Sequence, residues 1–542
     1  MESAKRGDKH HAQHMEKHQA WKWRGWVTCV VILCLGSTVT FYWAQRMNAT
    51  GGTGMAEFPL LSSSVKNFSF EPEIPDLKDD PTCLSRTQQN LYRSDKERLI
   101  IPAALIEAWE RYGDLYRSCS VGRNWTDVFL DQGSDGSSNC KYLVFLELGV
   151  GLGNKILALT SALFYALSTD RVLLLDYSQQ NTLSRLLCEP FANFTWVLPW
   201  DFPYDKFWSA PSLGDAMEQN WNVRVMNLRL SQSQTSEDQL FFCEETQSGI
   251  SKVQWVSWMS NQYYFKIPSI WRRVNPIFSF RGETAFTYLS RLIILPNNDI
   301  WGHIIRTYWG YLSTTRLRVG LQVRLHWRSD LAAFDEQVQQ RILDCLTNHR
   351  ILPKVLEKPQ NVTGLSKLYP RKMRAVRRNE PPVDVVVLVA SLQARYRDEL
   401  MKLFDRQANV DDAIVRVHTV SHFGQEVVYS EDQVQYALVE MWLLSFSDKL
   451  ATSAWSTFGY IAQGLGNLTP YILNIKGDIT RDDGDSCLVG QSSQPCTHYP
   501  MKPACKAPGN LTEEHKAWLD AHIRECQDQS GGLQLGTYDV PQ

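Results

Sequence analysis

The amino-acid sequence predicts an α/β protein: two Rossmann-like domains facing a cleft, preceded by one transmembrane helix and a stem. Three observations lead there. A strand, a glycine-rich turn, a helix and a second strand follow one another between Tyr142 and Leu175. Apolar strands alternate with helical patterns again between residues 316 and 476. Near the N-terminus, a stretch long enough to cross a bilayer carries no charge.

The chain has 542 residues, too many for one ordinary core, so two or more domains are expected. Apolar residues make up 44% and charged residues 21%, a globular composition. The net charge of −2 offers nothing to a nucleic-acid backbone, which excludes nucleic acid as a bulk-charge partner.

Residues 1–24 read as a cytosolic tail and 25–44 as a signal-anchor. No residue between Arg24 and Arg46 is charged. Gly25 to Ala44 spans roughly 30 Å as a helix. Trp21, Trp23, Trp26, Tyr42 and Trp43 sit at its ends, as interfacial anchors do. The alternative is a cleaved signal peptide, but the stretch is long and no clear small-x-small cleavage site follows it. Lys5, Arg6, Lys9, Lys17, Lys22 and Arg24 precede the span, and only Arg46 lies close after it. The body is therefore expected in the lumen. Residues 45–80, with Gly51, Gly52, Gly54 and the Ser62–Ser64 run, read as a stem. Glycosylation sequons at Asn48, Asn67, Asn124, Asn193, Asn361 and Asn510 suit a luminal body. A seventh, at Asn467, is disfavoured by Pro470. Outside the span, Cys83, Cys119, Cys140, Cys188, Cys243, Cys345, Cys487, Cys496, Cys505 and Cys526 are an even set without zinc spacing. Structural disulfides of unspecified connectivity are expected.

The first domain is placed at 81–315. Its clearest unit is a strand at Tyr142–Leu148, the turn Gly149-Val150-Gly151-Leu152-Gly153-Asn154, a helix, and the strand Val172–Leu175. Ile156, Leu159, Thr160, Leu163 and Leu167 fall on one face of that helix. The second domain is placed at 316–476. Strands are expected at 317–325, 384–390, 414–420, 449–453 and 471–475, with helices near 335–349, 393–405, 432–446 and 457–465. Val385–Val389 is apolar on both faces, as in a buried parallel sheet. Residues 477–542 hold four cysteines and are expected to wrap back onto the body.

Two places could carry chemistry. From Leu317 to His326 the residues alternate: leucines and valines face one way, while Arg318, Gln322, Arg324 and His326 face the other. Arg324 has the fork geometry that grips diphosphate oxygens. A structural arginine–carboxylate pair is an equal alternative. Ser456 and Thr457 stand where a strand turns into a helix, and a helix start is an anion site as well as a cap. The Asp482–Asp485 cluster reads as a solvated turn rather than a metal site.

Gly320-Leu321-Gln322-Val323-Arg324 and Ser453-Ala454-Trp455-Ser456-Thr457-Phe458-Gly459-Tyr460 closely resemble signature motifs of the plant xyloglucan-type fucosyltransferases. So do Gly151-Leu152-Gly153-Asn154, Leu187–Phe191 and Leu198–Pro203, in the same order along the chain. Lys155, His326-Trp327 and Phe423 stand where that family usually carries other residues.

The resemblance implies a GT-B-like, metal-independent and cofactor-free enzyme of the Golgi membrane. It would transfer L-fucose with inversion from GDP-fucose to a galactose O-2 of a polysaccharide such as xyloglucan. Arabinogalactan-protein glycans are a rival acceptor, and a non-catalytic glycan-binding paralogue a rival function. Arg324 is expected to bind the β-phosphate and to be catalytic. Gln322, His326, Ser453, Trp455, Ser456, Thr457, Phe458 and Gly459 are expected to bind the donor. Gly151, Gly153, Asn154 and Lys155 are expected to form an acceptor-side loop facing the cleft. No carboxylate identifies itself as general base; Asp330, Glu426, Asp176 and Glu147 are candidates. A homodimer or a complex with other transferases is left open.

Overall fold

Tyr142–Phe145 (β1) is apolar and buried at every position, and so is Val172–Leu175 (β2), because the sheet they share is covered on both faces. The computed structural model describes residues 81–93, 101–120, 124–130, 140–177, 182–230, 236–262, 284–325, 332–356, 383–411, 413–425, 427, 430–475, 485–500, 505 and 522–536. The expected tail, signal-anchor and stem lie outside these residues. So do His326, Asp330, Glu426, residues 482–484 of the acidic cluster, and Asn48, Asn67, Asn361 and Asn510. Among the described residues, no helix is long and apolar enough to cross a membrane.

β1 and β2 are joined by the helix Leu152–Thr169 (α1). Val225–Leu230 (β3) and Trp255–Ser260 (β4) complete a parallel sheet of order β2-β1-β4-β3 among the described residues. Burial takes in nearly all of α1 rather than one face, although Leu167 is only half-buried. Its outer side is covered by Ala285–Ile293 (α2) and by a helix from the far half of the chain. The helix Asn298–Thr307 (α3) follows α2.

Thr315–Val323 (β5) opens the second sheet. After it come Ala332–Asn348 (α4), Val383–Ser391 (β6), Arg395–Arg406 (α5), Val415–His418 (β7), Glu431–Leu444 (α6), Lys449–Ser453 (β8), Thr457–Gly466 (α7) and Tyr471–Leu473 (β9). Cys487–Val489 (β10) pairs antiparallel with β9, and the rest of the sheet is parallel, in the order β10-β9-β8-β5-β6-β7. Val319, Leu321 and Val323 of β5 face one core with Val385, Val387 and Val389. Val386, Leu388 and Ala390 face the other.

The boundary expected near residue 316 falls at the start of β5, but the core does not stop there. The cluster around the first sheet continues into Leu438, Trp442, Ile461 and Leu465 of α6 and α7. Trp301 of α3 meets Trp442 edge to face at 5.6 Å. Thr287 Oγ1 donates to Gly464 O at 2.7 Å, and Arg291 Nε to Leu465 O at 2.8 Å. Both sheets accordingly belong to one compact unit, residues 72–542.

The expected disulfides are present: Cys83–Cys188, Cys119–Cys140, Cys243–Cys505, Cys345–Cys487 and Cys496–Cys526. The last lies beside the antiparallel hairpin of Ile523–Glu525 (β11) and Leu533–Leu535 (β12). Cys505 and Cys487 tie the C-terminal segment to the first and second halves respectively.

Candidate active site

The β5–β8 ladder runs out at Gln322 opposite Thr452. Side chains continue it. Ser453 N–H donates to Gln322 Oε1 at 3.2 Å, and Arg324 N–H donates to Ser453 Oγ at 2.7 Å. Arg324 is thereby held just past the carboxyl end of the sheet, where open α/β sheets bind ligands. Trp455 then turns the chain with φ +62°, a left-handed conformation uncommon in a bulky residue. Ser456 follows as N-cap of α7, its Oγ accepting from Gly459 N–H.

Two motifs far apart in the chain meet at this helix start. Thr457 Oγ1 donates to Asn154 Oδ1 at 3.0 Å. Gly153 lies against Thr457 so closely that a Cβ there would stand 2.7 Å from Thr457 Oγ1 and 2.9 Å from its carbonyl carbon. Glycine serves close packing of α1 on α7 here, since the residue is helical. Gly459 plays the same part on the sheet side: a Cβ would come within 2.9 Å of Thr452 Cβ.

Around this junction lies a cavity of about 400 Å³. Its walls include Gly151, Gly153 and Asn154 at the start of α1; Gln322 in β5 and Arg324 just after it; and Trp455, Ser456, Thr457 and Phe458 at the start of α7. Those are expected site residues, brought together from three segments. Ser453 and Gly459 stand behind the wall, where they position Arg324 and the helix start. His326 lies outside the described residues.

Lys155 requires a correction. It was expected on the cleft-facing loop, but it occupies the first turn of α1 with its ammonium buried against Glu147. Lys155 Nζ also donates to Thr182 Oγ1 at 3.1 Å. Glu147 accepts further from Thr182 N–H, Thr182 Oγ1 and Leu183 N–H. A carboxylate so engaged, and outside the cavity, is a structural partner and not a general base. Asp176 is buried and does not line the cavity either. Arg318, on the same strand, is committed to a carboxylate: Nη2 and Nε lie 2.8 and 3.2 Å from the two oxygens of Asp448.

The walls contain residues that sequence reasoning missed: Ser391, Ser421, Gln433, Glu440, His498 and Tyr499. Glu440 sits inside α6, where burial pushes its carboxyl up to about 8. Its Oε1 accepts both Ser421 N–H and Ser421 Oγ–H at 2.9 Å, which opposes that rise. Cys496, Cys526 and Asp528 cluster closely enough to suggest a metal, but both sulfurs are committed to one disulfide.

The profile of the family described as xyloglucan fucosyltransferase matches residues 74–506. A galactoside 2-alpha-L-fucosyltransferase from Arabidopsis thaliana is 34% identical, over 94% of this chain and 92% of its own. One of the same description from Pisum sativum is 31% identical, over 84% of this chain and 80% of its own. The structure is similar to that of an Arabidopsis thaliana FUT1 mutant in complex with GDP. The TM-score is 0.68 and the identity 32%, covering 84% of this chain and 97% of the other.

Proposed function

The chain belongs to the xyloglucan fucosyltransferase family, and on that premise we propose that it transfers L-fucose from GDP-fucose to a galactose O-2 of a cell-wall polysaccharide such as xyloglucan. The observation that carries this reading is one cavity wall: Arg324 beside the capped start of α7, at the carboxyl ends of β5 and β8. In a GT-B-like arrangement the second sheet holds the donor and the start of α1 faces the acceptor. The acceptor hydroxyl attacks fucose C1, the C1–O bond to the β-phosphate breaks with inversion, GDP leaves with the bonding pair, and the hydroxyl proton passes to water or to the departing phosphate. Charge then develops on phosphate, which Arg324 and the helix N-terminus stabilise. Two aromatic side chains outside the cavity walls are exposed, Trp200 at 79% and Tyr177 at 54%. Tyr204 Oη links their segments, accepting Tyr177 N–H at 2.8 Å and donating to Pro199 O at 3.1 Å.

Arg324→Lys keeps the charge and loses the bidentate fork. In purified full-length protein, Arg324→Lys and Arg324→Ala should lower fucose transfer by about 10²–10³ with little change in melting temperature. Near-wild-type transfer by either folded variant removes Arg324 from the site. A panel of galactosylated and arabinosylated acceptors separates xyloglucan from arabinogalactan transfer, and absence of any transfer favours the glycan-binding rival. No metal is needed on this reading, so chelator should leave turnover intact. On this reading the chain sits in the Golgi membrane with its body in the lumen. Protease added to sealed vesicles should then trim only the segment before Trp26.

A further inference from the structure

The hairpin β11–β12 reaches the cavity through a chain of hydrogen bonds that joins Trp455 and Tyr460 of the family motif to two residues outside it, Asp528 and His498. Asp528, in the turn between its strands, accepts two hydrogen bonds at one oxygen. Trp455 N–H donates to Oδ2 at 2.8 Å, and Tyr460 Oη donates at 2.5 Å. Tyr460 is the donor because burial, reinforced by the Asp528 charge, raises its phenol well above 10 and keeps it protonated. Its oxygen is then the acceptor for His498 Nε2–H at 3.0 Å. His498 itself lines the cavity, its ring 5.6 Å from that of Trp455.

The backbone reinforces this arrangement. Thr497 exchanges two hydrogen bonds with Leu533 of β12, at 2.8 and 3.0 Å. The Cys496–Cys526 disulfide joins the two segments, each sulfur two residues before His498 and Asp528 respectively. The left-handed turn at Trp455 that launches α7 is thus tied at its N–H to a carboxylate supplied by the C-terminal hairpin.

We propose that this hairpin completes the donor site: His498 contacts the bound nucleotide, and Asp528 is a positioning residue acting through Tyr460 and Trp455. The proposal rests on the fucosyltransferase reading, and its test separates the two. GDP binding is measured by calorimetry on the purified full-length chain, and transfer kinetics give KM for donor and acceptor apart. His498→Ala should weaken GDP binding and raise donor KM by about tenfold or more, leaving acceptor KM unchanged. Tyr460→Phe and Asp528→Asn should each raise donor KM several-fold. Because they act through one chain, the double variant should be no worse than the poorer single one. A merely structural role would instead lower the melting temperature without separating donor from acceptor KM. If His498→Ala fails to fold, His498→Gln is read in the same assays. A folded His498 variant that binds GDP as tightly as wild type overturns the proposal. Failure of the wild-type chain to bind GDP overturns the fucosyltransferase reading itself.

Discussion

Glu440 is a carboxyl whose proton stays on in the folded chain at pH values where the unfolded chain has lost it. Its pKa rises from 4.5 to about 8 through burial. The folded state therefore binds more protons than the unfolded one between those values, and stability falls as pH rises through that window. Glu440→Gln keeps an acceptor for Ser421 and removes the titration. Melting temperatures at pH 5 and pH 8 should differ less in the variant than in wild type; an unchanged difference assigns the pH dependence elsewhere. This residue was not legible in the sequence, because a single acid in the mostly apolar run Val434–Leu444 carries no spacing signal. His498 was hidden for another reason: it follows a Gly, Ser and Pro segment without periodicity. Arg324 and Ser456 could be found because alternation and strand-to-helix succession are periodic features that locate a strand end and a helix start.

The starts of α1 and α7 form one joint, and Gly153 is its tightest point. Gly153→Ala has helical dihedrals available, so its cost is steric. The new methyl meets Thr457 backbone, which yields less easily than a side chain tip. Overpacking of this kind costs about 1–3 kcal/mol, and it displaces a wall of the cavity. Both a lower melting temperature and weaker transfer are expected; loss of neither would show that the joint has slack. Lys155 and Glu147 brace the same βα unit from inside. Lys155→Met leaves a buried carboxylate without its cation and should destabilise by about 3–5 kcal/mol, while Lys155→Met combined with Glu147→Gln, which removes the charge and keeps an acceptor for Thr182 and Leu183, should recover much of that in chemical denaturation. Strands and helices of the second sheet were legible to within a few residues, since buried parallel strands are apolar throughout. β3 and β4 were not located: Asn227 and Ser257 interrupt them, and those two side chains meet at 2.9 Å inside the sheet.

At the scale of the molecule, the halves share a core. Leu438, Trp442, Ile461 and Leu465 belong to helices of the second half but are buried with the first. Arg93 also reaches across to stand 5.6 Å from the Trp442 ring. Residues 316–542 expressed alone should therefore expose this apolar surface, bind a hydrophobic dye and lack a cooperative thermal transition. A sharp transition from that fragment would show that the second sheet needs no partner. Periodicity could reveal two similar halves, but not which faces join them, because an apolar helix face reads the same whichever neighbour covers it. The C-terminal hairpin bears on biosynthesis. His498, Asp528 and Cys505 are added only after every strand of both sheets, yet they wall the cavity, steady the turn before α7 and close a disulfide with Cys243. A nascent chain carrying both sheets in full still lacks part of its ligand pocket, and a stop codon after residue 490 would leave a product with both sheets but an open, unsteadied site.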